Sequence, residues 1–323
     1  LARLDCNELP LEVNPARHFV ASANNRATPV GYPHYLGWMW DASYRIRRIH
    51  QMLGEAKNLT IESMAPIQFD AYDKGAERFV PFFLAAARKT KIEDSFSTGV
   101  LDALARWNYV AELEAIGPVI WMRWLECYRD AVWKEKLASR GVPAKEGNWG
   151  FSDTNGRQPV IEVLEYLTRE QPASPWFDGD RDALIAKSFH KAVASLKKEF
   201  GADLEKWRWK RINKLHIESL TGVRLLDRDG GPVPGDAYTV NPGSNIGTVG
   251  GGASWRLIVD FGDLERSVGV YPGGQSENPL SPLYSDQMSF WAHGKYLPLN
   301  VVSDPNKLPE KAKVRHLVFE PKS

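Results

Sequence analysis

The chain has 323 residues, and 41 Lys and Arg against 40 Asp and Glu leave a formal charge of +1, which gives no reason to expect a nucleic-acid or membrane-surface partner. Hydrophobic residues at 43% and charged residues at 25% are ordinary globular usage, with ample core for one large or two smaller domains. The longest apolar run, Phe79–Ala87, contains Pro81 and falls far short of the roughly 20 residues that span a bilayer. Two cysteines, Cys6 and Cys127, cannot build a disulfide framework or a cysteine metal site. Twelve tryptophans point to a large core or an aromatic-lined cleft. The chain opens at Leu1 without a charged-then-apolar leader, the pattern of a processed product or a fragment.

In chain order, residues 1–33 carry four prolines around one strand-like run, Phe19–Ala23. A helix is predicted at 42–53, with Asp41 as N-cap and Gly54 past its end. Thr60 caps a segment that is helical to about Lys91, apart from a break at Pro66. Further helices are predicted at 98–115, 118–137, 158–170 and 180–200 from apolar residues three or four apart. Gly141–Gly156 is a loop. After about residue 220 Gly and Pro become frequent, and short β-type runs appear at Tyr238–Val240, Trp255–Phe261, Ser267–Tyr271 and Val314–Phe319. Gly262–Glu265 can turn the second of these into the third. A strand, a long helical middle and a β-rich end make an α+β chain, not a doubly wound sheet.

Several familiar motifs fail on context. Gly247–Gly252 precedes a strand pattern, so no helix N-terminus is there to bind phosphate. Gly274-Gln275-Ser276-Glu277-Asn278 is near a nucleophile elbow, but Pro279 and Pro282 follow where a helix must begin. The seven histidines show no metal-ligand spacing. Asn58-Leu59-Thr60 fits a glycosylation sequon and doubles as a helix start.

One arginine is out of place. At 100° per residue, Ile46, Ile49, Met52 and Leu53 form an apolar stripe, with Arg47 opposite and Arg48 at its edge as solvated surface. Arg45 falls inside the stripe and must meet a carboxylate, carbonyls or a polar cleft. Pattern alone leaves two readings, a salt bridge locking the helix and a cleft-lining residue, and it favours the first. Asn24-Asn25 ends the strand-like run either as a turn or as an amide donor able to stabilise an oxyanion.

These residues also carry a resemblance. Ala23-Asn24-Asn25, Tyr32-Pro33, Trp40 and Tyr44–Ile49 resemble the middle of the β subunit of the penicillin acylase family, a group of N-terminal-nucleophile amidohydrolases. Gly252–Phe261 is similar to the family's late strand, and Gly273-Gly274-Gln275-Ser276 with Ser281-Pro282 and Tyr284–Gln287 to its near-terminal signature. Trp207-Arg208-Trp209 with His216 matches a shorter family pattern.

The resemblance implies a four-layer αββα Ntn fold, with residues 1–57 and 221–323 in its core and a mainly helical region at 58–220. It implies a serine freed by autocatalytic cleavage, whose α-amine serves as base for attack on an amide. Asn24 then corresponds to the oxyanion donor and Arg45 to the cleft-positioning arginine, while Asn25 shapes the turn. Substrates in the family are N-acylated small molecules: β-lactam side chains or N-acyl homoserine lactones.

The expected partners are an N-terminal β segment and an α subunit of the same precursor, with no nucleic acid and no membrane, in the periplasm or outside the cell. No cofactor is expected within these residues, though calcium is possible in the complete enzyme. The sequence departs from the family at Leu1, where no nucleophile stands. It departs again in the short Tyr32–Trp40 interval, where His34 stands and the calcium aspartate has no match, at Leu283 for histidine and at Glu277 for glycine. These departures keep two further readings open: a non-catalytic scaffold or binding module of the same descent, and a nicked fragment with Trp38, Trp40 and Trp255 abnormally exposed or paired between copies.

Overall fold

A computed structural model of the chain describes residues 4–29, 31–37, 40–90, 92, 94–139, 161–219, 221–243, 248–249, 252–302, 304 and 306. The expected loop at Gly141–Gly156, the expected strand at Val314–Phe319, Trp38 and part of the Gly247–Gly252 run lie outside them. The described helices are α1 (Tyr44–Glu55), α2 (Ile61–Gln68), α3 (Lys74–Lys89), α4 (Ser95–Ala105), α5 (Gly117–Ala138), α6 (Ile161–Glu170), α7 (Arg181–Phe200) and the short α8 (Met288–Ala292). The strands are β1 (Lys214–Ile217), β2 (Arg228–Pro232), β3 (Thr248–Val249), β4 (Arg256–Ile258), β5 (Val268–Val270) and β6 (Leu297–Pro298). The composition is α+β, and the chain divides into two units, residues 1–56 with 69–252 and residues 57–68 with 253–323.

The first unit is a helical core built on tryptophan. α5 packs against α7, and α7 against α3. Phe79, Phe83, Trp121, Trp124, Tyr128 and Phe189 meet there ring against ring at centroid distances of 4.8–5.8 Å. A buried indole N–H needs an acceptor. Trp124 Nε1 donates to Ile185 O at 3.1 Å and Ser188 Oγ at 3.0 Å, and Trp209 Nε1 to Gly235 O at 2.9 Å. The abundant tryptophan is therefore largely core.

Two predicted boundaries move for one reason. The segment expected to be helical from Thr60 to Lys91 breaks at Phe69–Asp73, not at Pro66, which sits inside α2. Similarly, the helix expected over 98–115 stops at Ala105. Residues 71–73 and 109–111 bridge each other: Ala111 N donates to Ala71 O and Asp73 N to Tyr109 O, both at 2.8 Å. Asp73 then caps α3 by accepting Ala76 N at 2.8 Å. The helix expected over 180–200 is α7, where Asp180 Oδ1 accepts Ala183 N at 2.9 Å and Gly201 closes the helix at φ +84°.

Behind α3 lies a buried polar knot. Asp73 and Asp236 are both fully buried. Asp73 Oδ2 accepts Trp121 Nε1 at 2.7 Å, and Asp236 Oδ1 accepts Tyr238 N at 2.9 Å. The two carboxyl groups are electrostatically coupled, and burial raises the pKa of each. Thr239 Oγ1 donates to Asn241 O at 2.6 Å and accepts Asp236 N at 2.9 Å, so Tyr238–Val240 is a turn and not the expected strand. β1 pairs antiparallel with β2, Leu215 opposite Gly231, and parallel with β3. His216 Nδ1 lies 2.7 Å from Asp229 Oδ1, and that hydrogen bond holds its pKa above the usual imidazole range.

In the second unit β4, β5 and β6 form an antiparallel sheet, Arg256 opposite Val270 and Gly269 opposite Leu297. The turn expected between Trp255–Phe261 and Ser267–Tyr271 is there, carried by a short 3₁₀ turn at Leu264–Arg266. Gln68 joins α2 to this sheet, donating to Leu257 O at 3.0 Å and accepting the Tyr296 hydroxyl at 2.6 Å. Arg256 is buried, its guanidinium 4.2 Å from the Trp291 ring centroid, and burial lowers its pKa to about 10. Trp255 stacks on Tyr271 at 5.4 Å and stays half exposed, while Trp40 is partly covered.

No helix starts directly after Ser276, whose amide donates instead to Leu283 O at 3.1 Å. No helix among the described residues is long and apolar enough to cross a membrane.

Candidate functional site

The site is built where the N-terminal arm meets the first turn of α1. Phe19–Ala23 runs up to it outside any strand, contrary to the predicted β run. At Asn24 the backbone turns left-handed, with φ +60°, a conformation asparagine tolerates better than other side-chain-bearing residues. Asn25 stabilises the turn: its Oδ1 accepts Ala23 N at 3.0 Å and its Nδ2 donates to Arg26 O at 2.9 Å.

Arg45 reaches back from α1 to this turn. Its Nη2 donates to Asn24 Oδ1 at 2.7 Å, to Ala23 O at 2.9 Å and to Asp41 Oδ2 at 2.6 Å. The residue that the helical stripe marked as misplaced thus meets a carboxylate, a carbonyl and a side-chain amide, with only 13% of its side chain exposed. A guanidinium has donors only, so the Asn24 atom facing it must be the oxygen. The amide is oriented by that contact, and Nδ2 carries no hydrogen bond to any other described residue.

Asp41 does not cap α1. The N-cap position is Ser43, and the Asp41 carboxylate turns to Arg45 four residues on. Its backbone N–H donates to Asn24 O at 2.8 Å. Arg48, expected at the solvated edge, instead makes a two-point contact with Asp70, Nε to Oδ1 at 2.9 Å and Nη2 to Oδ2 at 2.8 Å, and lies 4.6 Å from the Tyr72 ring centroid. Arg47 is exposed, as its position opposite the stripe requires.

The N-terminal turn of α1 is gripped by α6. Glu162 Oε1 accepts both the Ser43 amide, at 3.0 Å, and the Ser43 hydroxyl. A carboxylate at a helix start satisfies an orphan donor and meets the positive end of the helix dipole. Tyr44, fully buried, donates its hydroxyl to Glu165 Oε2 at 2.7 Å. Burial, and then the Glu165 charge, hold the phenol well above its ordinary pKa, so it is a neutral donor at any working pH. Arg78 and Arg169 complete the Glu165 shell. Sequence reasoning named Asn24 and Arg45 and missed these acids. The i,i+4 spacing of Asp41 and Arg45 was a usable signal; nothing local marks Glu162 or Glu165.

A calcium site finds no support here. Calcium takes six to eight oxygen ligands. Among the described residues no three or more His, Cys, Asp or Glu side chains gather to hold a metal. In the Tyr32–Trp40 interval His34 sits 3.2 Å from Glu8. That pair is not an oxygen cage.

The penicillin amidase family profile matches residues 2–305. The chain is 25% identical over 318 residues to the acyl-homoserine lactone acylase QuiP of Pseudomonas fluorescens strain Pf0-1, covering 90% of this chain and 37% of that protein. It is 23% identical over 335 residues to the protein of the same name from Pseudomonas aeruginosa, covering 89% and 38%. The chain therefore spans less than two-fifths of the length of these relatives. Among solved structures, thermostable penicillin G acylase from Alcaligenes faecalis matches with a TM-score of 0.63 at 15% identity, over 99% of this chain and 60% of that one. At that identity the likeness speaks for the fold.

Proposed function

The chain belongs to the penicillin amidase family, and from that premise we propose that it forms part of an amidohydrolase acting on N-acylated small molecules through an acyl-serine. The nucleophile is a serine on a segment other than these 323 residues, its own α-amine acting as base. That segment and an α subunit of the same precursor are the proposed partners. The names of the relatives favour N-acyl homoserine lactones over β-lactam side chains as substrates. The periplasm or the cell exterior is the proposed location.

The observation that carries the mechanism is the hydrogen bond from Arg45 to Asn24 Oδ1. Attack on an amide carbonyl puts negative charge on its oxygen, and a fixed donor aimed there lowers the barrier. Asn24 is a neutral donor that leaves a nearby amine base unprotonated. Arg45 withdraws electron density from its amide oxygen, which strengthens the Nδ2 hydrogens as donors. It also prevents the amide from flipping, which would present an acceptor to the oxyanion. Arg45 acts here as a positioning residue.

The test is hydrolysis of a series of N-acyl homoserine lactones and a chromogenic acyl amide by the intact enzyme and its Asn24→Ala variant. Loss of one oxyanion donor is expected to lower kcat by about 10²–10³ with little change in KM. An unchanged kcat overturns the role of Asn24. An intact enzyme that cleaves no acyl amide overturns the amidohydrolase reading.

A further inference from the structure

One nitrogen of Arg45, carrying two hydrogens, meets three oxygens: Asp41 Oδ2 at 2.6 Å, Asn24 Oδ1 at 2.7 Å and Ala23 O at 2.9 Å. Of these only Asp41 bears a charge, and charge-assisted hydrogen bonds are shorter and roughly twice as strong as neutral ones. Of these three contacts, the one to Asp41 therefore holds Nη2 most strongly. The same residue donates its backbone N–H to Asn24 O at 2.8 Å, which helps to hold Asn24 at φ +60°. A ring closes: Asn24 O to Asp41 N, Asp41 Oδ2 to Arg45 Nη2, and Arg45 Nη2 to Asn24 Oδ1. Asp41 fixes the backbone of Asn24 directly and its side chain through Arg45.

Asp41 also balances charge. Without its carboxylate, the arginine would stand beside Asn24 with its positive charge uncompensated by this partner. The guanidinium is then held less firmly against the amide oxygen of Asn24. The side chains of Asp41 and Arg45 are 22% and 13% exposed, so water screens the pair incompletely and each depends on the other. The pair shares one turn of chain, Asp41 four residues before Arg45, so no distant element has to move to form it.

We propose that Asp41 is a positioning residue of the amidohydrolase reaction, acting through Arg45 to hold the Asn24 side-chain amide in the orientation that donates to the oxyanion. This inference rests on the reading of Asn24 given above. It adds a residue to that reading, since a plain helix-locking salt bridge would leave the rate-determining chemistry alone.

The experiment is a double-mutant cycle in the intact enzyme, reading kcat and KM on a chromogenic acyl amide. Asp41→Asn keeps the backbone N–H to Asn24 O and removes only the charge. It is expected to lower kcat about tenfold with KM held within about twofold, and Asp41→Glu to recover most of the loss. In the Asn24→Ala background the same substitution is expected to cost less than about twofold, because coupled residues are not additive.

A second readout does not use activity. The Asn24 side-chain amide signals in a ¹H–¹⁵N spectrum are expected to move in Asp41→Asn and to stay in place in Asp41→Glu. An equal loss from Asp41→Asn in both backgrounds makes Asp41 structural and overturns the inference. So does a wild-type kcat in Asp41→Asn with Asn24→Ala impaired, or an unmoved Asn24 signal. A wild-type kcat in Asn24→Ala overturns the oxyanion reading itself, and this inference with it.

Discussion

The Tyr44 hydroxyl donates to Glu165 Oε2 across a sequence separation of 121 residues, at 2.7 Å and fully buried. Together with Ser43 and Glu162, this contact fastens the first turn of α1 to α6, one residue away from Arg45. The site at Asn24 is thus held from two sides: locally by Asp41, and from α6 by two glutamates that hold the helix rather than the arginine.

Tyr44→Phe is expected to destabilise the protein by about 1.5–3 kcal/mol, the range for a hydrogen bond to a charged partner. The phenyl ring still fills the cavity, so the loss is the hydrogen bond to Glu165, which Arg78 and Arg169 continue to neutralise. Urea denaturation measures it, and an unchanged midpoint would show that Glu165 is satisfied without Tyr44.

Arg45→Lys is expected to behave as a loss and not as a conservative change. Lysine is a compact charge on a flexible stem and lacks the planar fork of arginine. Its nitrogen also ends one bond short of Nη2, the single point at which Asp41 Oδ2, Asn24 Oδ1 and Ala23 O converge. A fall in kcat of about tenfold or more is expected, without a comparable rise in KM. Wild-type kcat in this variant would mean that charge alone suffices at the position.

How much of this was legible depends on how far apart the partners stand in the chain. α7 could be read because its apolar residues recur three or four apart within the helix itself. β2 could not, since Arg-Asp-Gly-Gly-Pro has no strand propensity and is extended because β1 supplies its partner. Phe19–Ala23 has the propensity and no ladder. At the site, helical periodicity alone exposed Arg45 as anomalous, whereas Asn24 and its role came from resemblance to a family. Asp41 was misassigned because an aspartate before a helix fits both an N-cap and an i,i+4 pair, and only the backbone path decides between them. Glu162 and Glu165 belong to an element more than a hundred residues on, and no local pattern relates them to Arg45.

Gly235→Ala is expected to be among the costliest single substitutions in the first unit. The residue has φ +88°, and an added Cβ would stand 2.2 Å from Asn241 O, a backbone atom that cannot rotate away. Overpacking typically costs about 1–3 kcal/mol, occasionally more, and the left-handed backbone adds about 1 kcal/mol for a residue with a side chain. The loop also carries Asp236 and accepts Trp209 Nε1. Thermal unfolding is the measurement, and loss of less than about 1 kcal/mol would show that the loop can shift.

The Asp73–Asp236 pair predicts how stability changes with pH. Burial raises both carboxyl groups above the usual aspartate range, and the Asp73 charge raises Asp236 further. No hydrogen bond from the described residues satisfies Asp236 Oδ2, which leaves its ionised form poorly compensated. In the unfolded chain both residues ionise near pH 3.9. Above that pH the folded state binds more protons than the unfolded one, and stability falls as pH rises. The contribution is fully present below about pH 3.9 and is lost as pH climbs through the raised folded values. Asp236→Asn removes one of the two buried titrating carboxyl groups and the charge that raises its neighbour. The variant is expected to be more stable than wild type at pH 8 and to lose that advantage towards pH 4, gaining about 2–4 °C in Tm per kcal/mol recovered. Thermal melts of both proteins from pH 4 to pH 8 decide it: parallel curves would mean that the pair does not titrate on folding, and a variant less stable throughout would mean that the buried site cannot accommodate the amide.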